Sequence, residues 1–119
     1  MAAELARRRD GALSPPPFSV ASRRDRDTVF ILAAGELDVA TCAQVRTELE
    51  SVLESSCAHV VIDLRRLTFM DSSALHLLVA TQRAALRRGI RLSLIRGPDA
   101  VNRTLEVAGM HDRFEFITP

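Results

Sequence analysis

The chain has no lysine, no long apolar run, no glycine-rich phosphate loop and only two cysteines, and each absence narrows what it can do. Its sixteen basic residues are all arginine and stand against fifteen acidic residues, for a net charge of +1. So small a charge gives no broad attraction to a polyanion, and direct nucleic-acid binding is not expected. Exclusive use of arginine is a mark of GC-rich coding rather than of selection for phosphate contacts, so no single arginine is informative by its type. No stretch approaches the roughly 18 apolar residues of a membrane span, and the N-terminus lacks the hydrophobic segment of a secretory signal. A cytoplasmic protein without a membrane partner is expected.

Cys42 and Cys57 fall near opposite ends of one predicted helix. At about 1.5 Å per residue they are roughly 22 Å apart, beyond disulfide reach, and are expected to be reduced core thiols. The other reading, a redox pairing between two molecules, needs a lowered thiol pKa for which no neighbour argues. His59, His76 and His111 show no metal-ligand spacing, so neither a metal nor another cofactor is expected. Ser73 and His76 lie three apart on one predicted helix, close enough to meet, but no nucleophile elbow or orienting carboxylate accompanies them. A hydrolase is therefore set aside, and no enzymatic activity is expected.

What is present is enough for one core: 119 residues, 47% of them hydrophobic. Residues 1–17, with Arg7 to Arg9 and Pro15 to Pro17, read as a flexible leader, and the folded domain as residues 18–119. Phe18 and Val20 suit a short edge strand, with a turn over Arg23 to Asp27. Val29 to Ala33 is a continuous apolar run that predicts a central strand covered on both faces, ended by Gly35 and Asp38. Cys42, Val45, Leu49, Val52 and Leu53 share one helical face over 39–54, with Asp38 or Thr41 as the cap and Thr41 with Gln44 as a capping box.

Val60 to Leu64 repeats the buried-strand pattern, and a second helix is expected from Ser72 to Arg88, closed by Gly89. Ile90, Leu92 and Leu94 alternate with Arg91 and Ser93 as the first strand with a partly exposed face. A third helix opens at Gly97-Pro98, turns Val101 and Leu105 inward and stops at Gly109. Phe114 to Ile117 is a last strand. This order predicts an α/β fold, a single domain with a mixed, largely parallel sheet packed with helices.

In parallel units the ends of the first two core strands emerge at one pole, which collects Glu36, Asp38, Thr41, Asp71, Ser72 and Ser73. Gly35-Glu36-Leu37-Asp38 with Thr41, Val61-Ile62-Asp63-Leu64 leading to Phe69-Met70-Asp71-Ser72-Ser73, and Val107-Ala108-Gly109-Met110 together resemble the STAS family of bacterial anti-sigma factor antagonists over about residues 18–117. The resemblance implies a STAS-like fold and a partner that is an anti-sigma factor serine kinase. It implies phosphorylation at Ser73, less so at Ser72, and a kinase-binding face around Asp38 and Asp71 to Ser73. A phosphatase would reset the switch, and the consequence would be release of a sigma factor.

Two departures stand out. Ala74 replaces the glycine that usually follows the serine pair, and relatives commonly add a closing helix beyond the last strand, so that part of the sheet or of an adjoining helix is expected to be bare or covered by another chain.

From residue spacing alone, Ser72 and Ser73 are equally consistent with simple capping, and Asp38 and Asp71 with capping or binding. At 100° per residue Leu75, Leu78, Val79, Gln82 and Leu86 form the core arc of the second helix. Ala74, Leu77, Thr81 and Arg88 lie on another side, so Leu77 is expected to be partly exposed and, with Thr41 and Ala74, part of the partner surface. The alternative to a phosphorylation switch is a constitutive STAS scaffold subunit of a transporter or signalling complex.

Overall fold

A computed structural model describes residues 17–119, so the predicted leader lies, Pro17 excepted, outside the described residues. Eight elements follow in the expected order. They are β1 (Ser19–Asp25), β2 (Thr28–Leu37), α1 (Cys42–Glu54), β3 (His59–Met70), α2 (Ser72–Arg87), β4 (Arg91–Ile95), α3 (Asp99–Val107) and β5 (Glu115–Phe116). The strands form one sheet in sequence order, β1 antiparallel to β2 and every later neighbour parallel. Each parallel step is made by a helix, because parallel strands cannot be joined by a tight turn.

The strand boundaries differ from expectation in instructive ways. β1 continues to Asp25, and its hairpin to β2 is a two-residue loop in which Arg26 takes φ 58°, a left-handed conformation rare for a non-glycine residue. β2 alternates, with Val29, Ile31, Ala33 and Leu37 buried and Leu32 exposed, so it is not covered on both faces. β3 is twelve residues long and runs on to Met70, past Leu64 where the buried-strand pattern ends. Its extra length is accommodated by two places where β3 advances one residue more than β2, between Leu32 and Ala34 and between Gly35 and Glu36. Gly35, at φ 106°, lies at the second of these, and a Cβ there would come within 3.2 Å of the Phe18 backbone.

All three helices contribute to one apolar cluster on one side of the sheet. Ile31, Ile62, Leu64 and Leu94 of the strands meet Val45 and Leu49 of α1, Leu75 and Leu78 of α2, and Val101 and Leu105 of α3. The fold is therefore two layers, helices on one face of a mixed sheet. Val61 and Ile95 are buried but lie outside that cluster, on the opposite face, where Val61 sits between its register partners Phe30 and Ser93. Ser93 is itself fully buried, so the partly exposed face expected of β4 is exposed at Arg91 but not at Ser93. Gly97 is required where α3 approaches the sheet, since a Cβ would stand 2.6 Å from the Leu64 carbonyl oxygen. The Asn102 side chain clamps that turn through both the N–H and the carbonyl of Gly97, at 3.0 and 2.7 Å.

A polar network joins β3, β4 and β5. Arg91 donates to Glu115 from Nε at 2.9 Å and again from its terminal nitrogen, and Ser93 Oγ donates to Glu115 Oε1 at 2.7 Å. Because the single Ser93 hydroxyl hydrogen goes to Glu115, His59 Nε2 must carry the hydrogen it shares with Ser93 Oγ at 2.7 Å. The Arg91 guanidinium, helped by Ser93, holds the Glu115 carboxyl down to about 2. Burial pushes the His59 imidazole below its usual range, and Arg91 adds to the effect.

Both shifts favour the fold at neutral pH. The Glu115 contribution is complete above the ordinary carboxylate pKa of about 4.3 and is lost as pH falls toward 2. The His59 contribution is complete above about 6.5 and declines below it, as the unfolded chain takes up a proton that the fold resists. Urea unfolding measured from pH 7.5 to 3 is expected to show stability falling in two stages. His59→Gln should remove the upper stage, and Glu115→Gln should shrink the lower, which Asp63, also held below the usual carboxylate range, shares.

Candidate functional site

The site is built by the last pair of the β2–β3 ladder. Leu37 faces Met70 in register, and the Asp71 N–H donates to the Leu37 carbonyl at 3.3 Å, so both chains leave the sheet side by side. Asp38 follows one strand and Asp71 the other, and both carboxylates act on the Cys42 thiol at the start of α1. Burial first, then Asp71, and to a lesser degree Asp38, push that thiol up against the opposing pull of Arg46. Cys42 is thus a buried protonated thiol, while Cys57 is half-buried against the core, and both are free.

Asp38 and Thr41 interlock. Asp38 Oδ1 accepts from the N–H of Ala40 at 2.9 Å and of Thr41 at 3.2 Å. Thr41 Oγ1 accepts from the Asp38 N–H at 3.0 Å and donates to the Glu36 carbonyl at 2.8 Å. Thr41 occupies the N-cap position of α1 without a side-chain cap bond, so the capping box with Gln44 does not form. The threonine is spent on the turn, which leaves the entry to α1 rigid.

At the second loop the cap is Asp71. Its Oδ1 accepts from the Ser73 N–H at 2.9 Å and the Ala74 N–H at 3.3 Å, satisfying two donors that the first helical turn leaves without partners. Ser72 and Ser73 are therefore the first two helical residues rather than the cap. Among the described residues neither hydroxyl has a hydrogen-bond partner, with Ser72 exposed and Ser73 half-buried. No hydrogen bond links Ser73 to exposed His76 among the described residues.

Two expectations for α2 are corrected. Leu77 is 4% exposed and Ala74 is 0% exposed, so the partial exposure expected of Leu77 is not found and both side chains lie in the core. Leu86, placed on the core arc by periodicity, is 78% exposed. The cause is that α2 packs on α1 as well as on the sheet. Leu77 and Thr81 border a cleft with Leu49 and Leu53 of α1, and the buried Thr81 hydroxyl is satisfied by the Leu77 carbonyl at 2.7 Å. The second contact widens and rotates the buried arc beyond the one assigned from sequence.

The exposed apolar surface beside the serines lies elsewhere. Phe69, 47% exposed, and Val107, 81% exposed, border a groove of about 480 Å³ with Ser72, Leu75, Arg103 and Thr104. Thr104 Oγ1 lies 3.1 Å from the carbonyls of both Met70 and Ala100, tying α3 to the end of β3 and closing the groove floor. Sequence periodicity missed this surface because Phe69 and Val107 belong to different elements. The available signal was the strand alternation of Phe69 against Met70.

A family model described as Mlab, STAS domain matches residues 20–118. The chain belongs to the STAS domain family. Over 92 residues it is 32% identical to an anti-sigma-B factor antagonist of Listeria monocytogenes, covering 77% of this chain and 81% of that one. An anti-sigma factor antagonist from Mycobacterium paratuberculosis superposes with a TM-score of 0.77 at 24% identity, over 89% of each chain. The Bacillus cell fate determinant SpoIIAA in its phosphorylated form superposes with a TM-score of 0.64 at 23% identity, over 86% of this chain and 92% of that one. The Listeria relative places the STAS chain in the anti-sigma factor antagonist family, and the two solved structures share the fold of its five-stranded mixed sheet and three helices. No helix among the described residues is long and apolar enough to cross a membrane.

Loss of the cap should weaken this STAS domain modestly. Asp71→Ala is expected to cost about 1 kcal/mol in urea unfolding. Leu77→Ala should cost about 2–5 kcal/mol, the signature of a core leucine, where an exposed docking leucine would cost within about 0.5 kcal/mol.

Proposed function

We propose that this chain is an anti-sigma factor antagonist that binds an anti-sigma factor serine kinase, so releasing a sigma factor, and is switched off by phosphorylation at Ser73. The observation that carries the reading is the division of labour at the start of α2. Asp71 caps the helix, and the Ser73 hydroxyl is left without a partner among the described residues. A hydroxyl engaged in capping would cost helix stability on modification; this one would not.

The chain supplies an acceptor and performs no chemistry of its own. The bond between the γ-phosphorus and the β–γ bridging oxygen of ATP bound to the kinase breaks, ADP leaves, the phosphoryl group passes to Ser73 Oγ, and the hydroxyl proton goes to a base of the kinase. The product carries a charge of about −1.5 to −2 beside Asp38 and Asp71. The positive end of α2 offsets part of that charge, so the fold persists while a face packed against an anionic or apolar surface is repelled. The existence of SpoIIAA in a phosphorylated form with the same fold supports this view. A phosphatase would reverse the modification, in the cytoplasm where kinase and sigma factor meet.

Asp38, Thr41, Asp71, Ser72 and Ser73 form the polar half of the docking face. The apolar half is the groove bordered by Phe69 and Val107, which takes the role first assigned to Leu77. Ala74 lies beneath this face, and its methyl group adds no obstruction to a partner.

Incubation with a cognate anti-sigma kinase and ATP, followed by mass spectrometry, should yield a phosphopeptide containing Ser73. Ser73→Ala should bind the kinase and resist phosphorylation, and Ser73→Asp should bind at least about tenfold more weakly. Equal affinity of Ser73→Asp and the unmodified chain would overturn the charge switch. Absence of the phosphopeptide with several cognate kinases would favour the constitutive scaffold.

A further inference from the structure

The sheet face turned away from the helices carries a second surface with a different chemistry. Neighbouring residues of a regular strand point to opposite faces. The first irregularity of β3, between the Leu32–Asp63 and Ala34–Arg66 pairs, breaks that rule. Arg65 and Arg66 consequently line one cleft of about 270 Å³, together with Arg23 of β1 and Leu32 of β2. Arg65 also borders an adjoining cleft of about 500 Å³ with Ile95, Arg96, Phe116 and Ile117; Phe116, the register partner of Leu94, packs against the helix-side cluster, so this cleft wraps the end of β4 and β5 where the open face meets the helix side.

Four arginines line the two clefts against one acidic side chain, Asp63. Asp63 is already engaged. Its Oδ1 accepts from Arg65 Nε at 3.0 Å and its Oδ2 from the Arg65 terminal nitrogen at 2.8 Å, which holds its carboxyl below the usual range. Two of the remaining guanidinium groups are ordered by stacking, Arg96 at 4.1 Å from the Phe116 ring centroid and Arg23 at 5.2 Å from that of Phe30. A stacked guanidinium keeps its edge N–H groups for an acceptor in the ring plane and loses less freedom when one arrives.

We infer that this face binds an acidic, leucine-containing segment of a partner protein, at a site separate from the Ser73 pole. Charge complementarity selects the occupant. Carboxylates match the planar forks of Arg23 and Arg66 on the open face and of Arg96 at the adjoining sheet end in paired hydrogen bonds, and aliphatic side chains of the segment cover Leu32 and Ile117. A single-stranded nucleic acid would need open aromatic faces for its bases, and Phe30 and Phe116 are each covered by an arginine. An anionic membrane would need apolar groups that protrude, and Leu32 and Ile95 lie within the clefts.

The test is fluorescence anisotropy with the full chain and a labelled short peptide of glutamate and leucine. The peptide should bind with an affinity that falls as salt rises. The double variant Arg23→Glu/Arg66→Glu, at two exposed positions, should lose at least about tenfold in affinity while its circular dichroism shows the same fold. Ser73→Asp should bind the peptide as the unmodified chain does. Failure of the peptide to bind at low salt, or indifference to the double variant, overturns the inference. So does loss of peptide binding in Ser73→Asp, which would move the site to the other pole. A labelled single-stranded DNA or a phosphatidylglycerol vesicle binding as tightly as the peptide would equally replace the acidic segment with another polyanion.

Discussion

The pairing of β2 with β3 up to Leu37 and Met70 is the constraint on which the rest of the structure depends. Parallel strands hydrogen-bonded to their ends must release their following loops together. Asp38 and Asp71, thirty-three positions apart by subtraction of their numbers, are thereby set at one pole. The same ladder carries two irregularities that lengthen β3 relative to β2, so that Met70 still meets Leu37 after extra residues have been inserted. One insertion lies close to the serine pole. The other turns two adjacent arginines to the open sheet face.

At the pole, two aspartates and one threonine satisfy the backbone so that the serines need not. Asp38 and Thr41 close the turn before α1, and Asp71 caps α2. The result is a rigid polar ledge whose variable group is a hydroxyl at a helix start, where the local dipole tolerates added negative charge. The apolar groove beside it comes from a different source, the docking of α3 through Thr104 against the end of β3.

The two-layer arrangement explains the contrast between the two sides of the sheet. Helices bury one face in a continuous apolar cluster, and the same three helices leave the other face to strand neighbours. That bare face is occupied by the Arg91, Ser93, Glu115 and His59 network at one end and by the cleft of Arg23, Arg65 and Arg66 toward the other. A sheet covered on both faces would have no room for either. The open-face chemistry is therefore a consequence of helices segregated to one side.

Element order, the largely parallel sheet and the identity of the polar pole were legible in the chain itself. Strands and helices alternate along it, and their apolar spacing distinguishes a period of two from one of 3.6. Inward-facing Val101 and Leu105 are legible for the same reason, as both follow from local geometry. The burial of Leu77 and Ala74 and the exposure of Leu86 depend on α1 as a second packing partner for α2, which no periodicity within α2 contains. Whether Asp71, Ser72 or Ser73 caps that helix was undecided among three residues of suitable chemistry until the end of β3 placed Asp71 first. Short-range spacing determined what each segment is. Only the register between distant strands, which joins residues through space, decided which side chains are left free to act.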